Sequence, residues 1–413
     1  MNGYKPTYNE IINNTGTPAY VFDLDVLRER LKLIKSTLGS KVGICYAMKA
    51  NPFVVGDIDN VVDRYEVCSH GEFRICEKAG IPMNKVVLSG VYKEPEDTKR
   101  IVATYKDAIL YTAESINQFH LINESAIDND IIVNIILRIT TGNQFGIDES
   151  DLIQLIADRD KYKGVDIVGI QHFSGTQRKN LSIYKEELEY CDSLIERLRG
   201  EYEFEAKELE FGTGFFFEYF QPKQKDGEKI SQDESELNAR AEDITLLEEF
   251  ASILNGIRFK GKITLEIGRF IVASCGRYYT SIVDKKHNCD IDFCIVDGGI
   301  HQLNYFGQML AMKKPWYRQL KSNGEVYQGG IDCANVCGSL CTTNDNLVKG
   351  MPLTNPELED IIEFRNSGAY SMTEASALFL SRDLPKVFLY EKEKGLKLMR
   401  DRFEAFQLNY ICR

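Results

Sequence analysis

The chain has 413 residues, 43% of them hydrophobic and 27% charged, which is enough for about two domains with substantial cores. Its formal net charge is −12 and it has no long basic run, so nucleic acid is not expected as its main partner. It also has no run of about 18 apolar residues that would cross a membrane, and its first residues lack the apolar core of a signal peptide. We therefore expect a cytoplasmic protein.

Strand-like and helix-like segments alternate through the first two-thirds of the chain. A short strand at 19–22 and a helix from 25 to about 38 come first. Eight strand candidates follow, at 41–48, 65–68, 86–88, 108–112, 132–139, 167–173, 208–211 and 262–265. Amphipathic helices are predicted between them, at 57–64, 71–78, 95–105, 115–122, 149–159, 181–198 and 239–254. This α/β pattern favours a parallel (β/α)8 TIM barrel over the competing doubly wound sheet.

After Gly276 the pattern changes to strand-like runs with few helices. These runs lie at 278–283, 293–296, 325–327, 361–364, 387–390 and 396–399. We therefore predict a barrel domain at residues 25–270 and a β-rich domain formed by residues 1–24 and 271–413. The polar segment 221–236 is interpreted as a mobile surface insertion in the barrel domain.

The cysteines do not predict a metal site. Eleven cysteines are scattered along the chain, and most lie in apolar runs, as expected of buried free thiols in a reducing compartment. Cys333, Cys337 and Cys341 are spaced by four residues, but that is not a usual zinc spacing and no histidine lies near them.

One lysine, Lys49, closes the apolar run 42–48 and directly precedes an Asn-Pro turn. A lysine at the exit of a buried strand is costly unless it has a function. Two interpretations are open from this segment alone. The side chain extends past the strand end to solvent, or its desolvated amine is a nucleophile that forms an imine with a carbonyl compound.

Polar, glycine or aromatic residues lie at the carboxyl end of nearly every predicted barrel strand, where the active sites of such barrels lie. They are Lys49, Ser69, Glu72, Ser89, Gly90, Glu114, Arg138, His172, Phe173, Gly212, Thr213, Gly214, Glu266, Gly268 and Arg269. The glycines of the last two loops allow backbone N–H groups to approach an anion, which predicts a phosphate site. The structural alternatives are tight turns at these glycines and, for Glu266, a surface carboxylate or a salt bridge to Arg269.

Taken in order, the motifs of the chain resemble those of the pyridoxal phosphate (PLP)-dependent decarboxylases of the alanine-racemase-like fold. That group includes the diaminopimelate, ornithine, lysine and carboxynorspermidine decarboxylases. The motifs are YAMKAN at 46–51, EVCSHGE at 66–72, QFGI at 144–147, SGTQ at 174–177, EIGR at 266–269, VDGG at 296–299, LCTTND at 340–345 and SGAY at 367–370. The resemblance implies a PLP-binding barrel, a C-terminal β-rich domain that also takes the N-terminal strand, and α-decarboxylation of an amino acid.

The resemblance also implies roles for individual residues. Lys49 would hold PLP as a Schiff base, and Glu266 would bind the pyridine nitrogen, so that the ring acts as an electron sink. Cys341 would come from the partner subunit and reprotonate Cα as a general acid, which implies a homodimer with two shared sites. The further cofactor residues implied are Glu66, Arg138, Gly212, Thr213, Gly214, Gly268, Arg269 and Tyr370.

Three positions depart from the diaminopimelate decarboxylases. Counting back from SGTQ places Phe173, with His172 as the alternative, where those enzymes stack a histidine on the cofactor ring. Thr342 replaces a glutamate after the cysteine, and Tyr305 stands where an arginine meets the distal carboxylate of diaminopimelate. These departures favour a substrate with a neutral or tethered side chain.

Substrate identity stays open between several readings. The LCTTND block resembles the butirosin branch, which acts on a glutamyl group carried by an acyl carrier protein. The predicted substrate contacts are Arg269, His301, Tyr305, Thr342 and Asp345. The alternatives are a diaminopimelate decarboxylase of lysine biosynthesis, a racemase of the same fold, a PLP-storage protein, and a catalytically dead regulatory paralogue. A cysteine in place of the racemase tyrosine argues against a racemase. The long β-rich tail argues against a PLP-storage protein, and the retained site residues argue against a dead paralogue.

Overall fold

The computed structural model describes residues 15–40, 42–222, 240–308, 310–321 and 325–411. The described residues form two compact units, one made of Arg30–Phe216 and Ala241–Phe270 and the other of the remainder. Residues 25–29, 217–222 and 240 group with the second unit in this division, and the domain bounds at 25–270 and 271–413 stay a prediction. The insertion predicted at 221–236 lies, except for its first two residues, outside the described residues.

The secondary structure alternates in the first unit and is mostly β in the second. The strands are β1 (Ala19–Asp23), β2 (Val42–Ala47), β3 (Arg64–Val67), β4 (Val86–Leu88), β5 (Leu110–Ala113), β6 (Val133–Arg138), β7 (Val165–His172), β8 (Glu208–Gly212), β9 (Lys262–Ile267), β10 (Gly276–Asn288), β11 (Ile291–Val296), β12 (Tyr317–Leu320), β13 (Val326–Tyr327), β14 (Asp332–Cys337), β15 (Asn346–Leu353), β16 (Ile361–Arg365), β17 (Lys386–Glu391) and β18 (Gly395–Arg400). The helices are α1 (Leu24–Leu38), α2 (His70–Ala79), α3 (Pro95–Tyr105), α4 (Ile116–Asp128), α5 (Glu149–Ala157), α6 (Leu181–Tyr202), α7 (Ala241–Gly256), α8 (Arg269–Val272) and α9 (Phe406–Asn409). None of these helices is both long and apolar enough to cross a bilayer.

The first unit is a closed barrel of eight parallel strands, β2 to β9, in chain order. Closure comes from the pairing of β9 with β2, which places Glu266 opposite Cys45. The predicted (β/α)8 barrel is therefore confirmed, and the doubly wound sheet is excluded because that sheet has two free edges. The helices between the strands begin where the sequence provides caps, as at Ser69 and Ser115, whose side chains accept the N–H groups of Glu72 and Gln118.

An irregularity in β7 sets the direction of its last side chains. Ile135 of β6 pairs with Ile167, but Ile136 pairs with Gly169, so Val168 is an extra residue. Val168 packs in an apolar cluster with Cys45, Val87, Leu110 and Ile136. A Cβ at Gly169 would overlap the carbonyl oxygen of Glu208, so only glycine fits there.

The helix predicted at 57–64 is wrong. The structure has a 3₁₀-helix at Pro52–Asp57, and the chain then turns into β3. The side chain of Asn51 accepts the N–H of Phe53 and caps this short helix. The following segment, rich in Asp, Asn and Val, has low helix propensity, and the apolar pattern alone did not reveal this.

The second unit is built on a mixed sheet that includes the N-terminal strand. Within the described residues the main path of this sheet runs β13-β12-β16-β10-β1-β17-β18, and β11, β14 and β15 continue from β10. Strand β1 pairs antiparallel with β10 and parallel with β17, as the resemblance implied for an N-terminal strand. Strands β12, β14 and β15 were not predicted, because their polar, glycine and proline residues hide the alternation that marks a strand.

Candidate active site

Lys49 lies just beyond the carboxyl end of β2, in a short 3₁₀ turn at Met48–Ala50. Its Nζ donates to Oε2 of Glu66 at 2.9 Å and lies 3.4 Å from Sγ of Cys68. The Lys49 side chain is 43% exposed and that of Glu66 only 3%. The amine is therefore held over the barrel by an ion pair and does not simply extend into solvent.

Glu66 is held in its charged form by its neighbours. Burial raises the pKa of Glu66, but the charge and hydrogen bond of Lys49 outweigh it, with help from Cys68, so the pKa is lowered overall. The Cys68 thiol lies 3.3 Å from Oε1 of Glu66, so both carboxylate oxygens have partners. Neighbouring strands β2 and β3 thus supply an amine and its counter-ion at the same edge of the barrel.

A second buried ion pair lies on strands β5 and β6. Nη1 of Arg138 donates to Oε2 of Glu114 at 2.7 Å, with both side chains less than a tenth exposed. The N–H of Gly90 donates to the other oxygen of Glu114. The Arg138 guanidinium lies 4.7 Å from the ring centre of Phe145, in the QFGI motif, and 5.9 Å from that of Phe173.

His172 and Phe173 point in different directions at the end of β7. The His172 ring is stacked on Phe211 at 5.7 Å and lies near Tyr190 of α6, so it faces the helical layer. The Phe173 ring lies beside Gly212 and Arg138, on the side that faces the barrel interior. Aromatic side chains cover the face of the strand on which His172 lies, which favours Phe173 over His172, and the cofactor contact predicted for either residue stays a prediction.

The loop after β8 is shaped by glycines and by an arginine that the sequence did not reveal. Gly214 has a φ of 55°, and a Cβ there would overlap the carbonyl oxygen of Gly175. A Cβ at Gly212 would overlap the Phe173 ring. Arg178 donates to the carbonyl oxygen of Thr213 at 3.0 Å. The loop is thus held close to the strand ends, at positions where only glycine fits.

Glu266 ends β9 on the interior face of the barrel and is 8% exposed. Nε2 of Gln171 on β7 donates to its Oε1 in a short hydrogen bond. Burial raises the pKa of Glu266, as does Glu66, whereas Glu210, Lys49 and Gln171 lower it, and the net shift is upward. Gln171 was missed, since a glutamine inside a strand gives no signal without the barrel geometry.

Gly268 and Arg269 follow Glu266 directly. A Cβ at Gly268 would lie 3.1 Å from the Cβ of Ala50 and 3.2 Å from that of Ala47, so the loop packs tightly against the Lys49 turn. Arg269 is buried and begins the short helix α8. The backbone of Thr213 donates to the carbonyl oxygen of Glu266 at 3.3 Å, which joins the two predicted phosphate loops.

The described residues of the second unit carry the remaining predicted site residues. Cys341 lies exposed on the loop between β14 and β15, with Thr342 half-buried beside it. Asp345 closes this loop, because its two oxygens accept the N–H groups of Ile300 at 2.8 Å and Leu340 at 2.7 Å. Asp345 thus has a structural function, and the substrate contact predicted for it stays a prediction.

Three other residues of this unit were also assigned to the site. The Tyr305 hydroxyl donates to the carbonyl oxygen of Arg365 at 2.7 Å, and its buried ring packs against Tyr219. His301 is buried and lines a cavity of about 620 Å³. Tyr370 has a φ of 62° and follows the strand β16.

Comparison with known proteins agrees with this arrangement. The profile of the pyridoxal-dependent decarboxylases, pyridoxal binding domain, matches residues 24–273, more than half of the chain. The diaminopimelate decarboxylase of Aquifex aeolicus is 26% identical over 416 residues, which cover 95% of this chain and 91% of that protein. The L-glutamyl-(BtrI acyl-carrier protein) decarboxylase of Niallia circulans is 23% identical over 412 residues, which cover 94% and 92%.

A solved structure shows the same fold. Diaminopimelate decarboxylase from Helicobacter pylori, complexed with L-lysine, matches with a TM-score of 0.80 at 22% identity, covering 97% of this chain and 98% of that one. The profile, the curated relatives and the fold lead to one assignment, which the ordered motifs had predicted. This chain belongs to the pyridoxal-dependent decarboxylases and is a PLP-dependent carboxy-lyase.

Proposed function

We propose that this enzyme removes the α-carboxylate of an amino acid whose side chain is neutral or is tethered to a carrier. The ion pair of Lys49 with Glu66 at the carboxyl end of the barrel carries the proposal, because it places a reactive amine where barrel enzymes do their chemistry. The family assignment supports decarboxylation in general. The substrate and the individual residue roles are our inference.

The residues at the barrel end fit PLP. Lys49 offers the amine, and the glycines at 212, 214 and 268 let the two loops pack directly against the strand ends, where a Cβ would meet Phe173, Gly175 or Ala50. Arg269 supplies a cation suited to a phosphate, and the phosphate contact predicted for Tyr370 stays a prediction. Glu266 would hold the pyridine nitrogen. When bound, PLP supplies a ring that accepts the electron pair left on Cα as carbon dioxide departs.

The protein's own groups keep charges and protons in place. Glu66 holds the Lys49 amine at the carboxyl end of the barrel and accepts its hydrogen bond at 2.9 Å. The Arg138–Glu114 pair holds a guanidinium beside Phe173, and Phe173 presents an aromatic face for stacking on the cofactor. We assign the stacking function to Phe173, because His172 is packed against Phe211.

Cys341 is proposed as the general acid that returns a proton to Cα. Its thiol is exposed on a loop that Asp345 holds closed, as expected of a group that is presented to another subunit. We therefore propose a homodimer in which each subunit donates Cys341 to the site of its partner. The proton would move from Sγ of Cys341 to Cα after the carboxylate has left.

Two neutral residues support the substrate class. The Tyr305 hydroxyl is already engaged with the carbonyl oxygen of Arg365, and a tyrosine offers no cation for a distal carboxylate. Thr342 carries no charge beside Cys341. One relative is named as a decarboxylase of an L-glutamyl group on an acyl carrier protein, which supports a tethered substrate for this enzyme as well. Diaminopimelate is the second candidate, because several of the most similar relatives are diaminopimelate decarboxylases.

Carbon dioxide release from the PLP-loaded protein tests the proposal. The panel contains meso-diaminopimelate, ornithine, lysine, arginine, glutamate and glutamate linked as a thioester to a carrier protein, with Lys49→Ala as the inactive control. We expect release from the carrier-linked glutamate, whose side chain is tethered, and little from meso-diaminopimelate. Full activity on meso-diaminopimelate would contradict the proposed substrate class. Formation of a D-amino acid without carbon dioxide would replace decarboxylation by racemisation.

A further inference from the structure

A second glutamate, Glu210, lies inside the barrel next to Glu266 and has no function in the account above. It is 0% exposed. Strand register places it opposite Gln171 of β7 and Thr264 of β9, two residues before the pair of Gly212 with Glu266. Residues two apart on a strand share a face, so Glu210 points to the same interior as the end of β8.

Among the residues that the structure describes, no nearby cation compensates the charge that an ionised Glu210 would carry. The titratable and charged groups that face it are Cys45 on β2, Arg64 on β3, Glu208 on β8 and Glu266 on β9. The nearest cation is Arg64, whose Nη1 is 3.8 Å from Oε2 of Glu210 but forms a much shorter ion pair with Glu208. Within the described chain, neither oxygen of a Glu210 carboxylate would receive a hydrogen bond.

Protonation resolves this arrangement. Two buried carboxyl groups in contact cannot both stay ionised at neutral pH, so one of them takes a proton. Glu266 receives a hydrogen bond from Gln171, which favours its charged form, whereas Glu210 has no such donor. Burial, with the adjacent Glu266, raises the pKa of Glu210 well above its usual value. As a carboxylic acid, Glu210 can donate its O–H to Glu266.

We propose that Glu210 is a positioning residue that remains a carboxylic acid at neutral pH and donates a hydrogen bond to Glu266. Glu266 then has two donors on the protein side, Gln171 and Glu210, which orient its carboxylate and keep it ionised. An ionised, oriented Glu266 is what a protonated pyridine nitrogen requires as its partner. The effect on the cofactor rests on the function proposed for Glu266, but the protonation of Glu210 does not.

The first test is infrared spectroscopy of the full-length protein, with and without PLP. We expect a carbonyl stretching band of a protonated, buried carboxylic acid at neutral pH, and we expect Glu210→Gln to remove it. Absence of the band from the wild-type protein, or its persistence in Glu210→Gln, would overturn the proposal. The wild-type spectrum depends neither on the folding of a variant nor on turnover. It therefore tests the protonation of Glu210 even if the proposed decarboxylation is not confirmed.

The second test compares the PLP affinity of two variants of similar size. Glu210→Gln cannot ionise but still has N–H donors, so its PLP dissociation constant should stay within about threefold of wild type. Glu210→Leu has no donor, and we expect about 10- to 100-fold weaker binding, the typical loss for a hydrogen bond to a charged group. Equal loss in both variants would show that the cavity shape matters and the donor does not, which contradicts the proposal.

Discussion

The barrel end and the loop between β14 and β15 hold their reactive side chains in opposite ways. In the barrel, Lys49 and Arg138 are each paired with a buried carboxylate at less than 3 Å. In the loop, the Cys341 thiol is exposed, and the order comes from backbone N–H groups donated to Asp345. Preorganised buried charges suit a site that binds an anionic cofactor, whereas an exposed group on a held loop suits delivery to another surface.

Removing the amine from the barrel end should have the largest effect. We expect Lys49→Ala to lower carbon dioxide release by more than about 10⁴-fold, because it loses both the covalent attachment and a proton-transfer group. Borohydride reduction of the PLP-loaded protein followed by peptide mass analysis should label residue 49 in the wild type and nothing at that position in Lys49→Ala. Lys49→Arg is the matched control, since it keeps a cation beside Glu66. Activity in either variant near the wild-type level would contradict the assignment.

Removing the thiol from the loop should have the next largest effect and should leave cofactor binding intact. We expect Cys341→Ala to slow amine product formation by about 10²- to 10⁴-fold, the usual contribution of a general acid, with an unchanged PLP dissociation constant. Cys333→Ala, also at an exposed cysteine of the same unit, should behave as wild type. Wild-type turnover in Cys341→Ala would rule out the proton-donor function.

The smallest of the three effects is expected at the residue that holds the loop. Asp345→Asn keeps one acceptor oxygen, now uncharged, and replaces the other by a donor, so one of the two backbone N–H groups loses its acceptor. We expect a loss of about 1.5–3 kcal/mol in the free energy of unfolding, with faster amide exchange at Ile300 or Leu340. Glu393→Gln, at an exposed carboxylate of the same unit, should change neither. Unchanged exchange in Asp345→Asn would show that the loop is held by other contacts.

Sequence patterns were sufficient for the barrel and for the residues at its strand ends. Each of the eight barrel strands was located within a few residues, because an apolar run bounded by turn residues is a local property. The helix predicted at 57–64 was wrong, because the apolar pattern of this segment was given more weight than its low helix propensity. Strands β12, β14 and β15 were missed because their pairing partners, and not their own residues, decide their conformation.

The sequence by itself determined the fold class, the order of the motifs and the identity of Lys49, Glu66 and Glu266 as candidate site residues, since strand periodicity and motif order are carried by neighbouring residues. Only the tertiary structure decided which side chains meet. The extra residue Val168 sets the direction of Gln171 and Phe173, and the register between β8 and β9 brings Glu210 beside Glu266. Those contacts join residues up to 95 positions apart, and no local pattern encodes such distances.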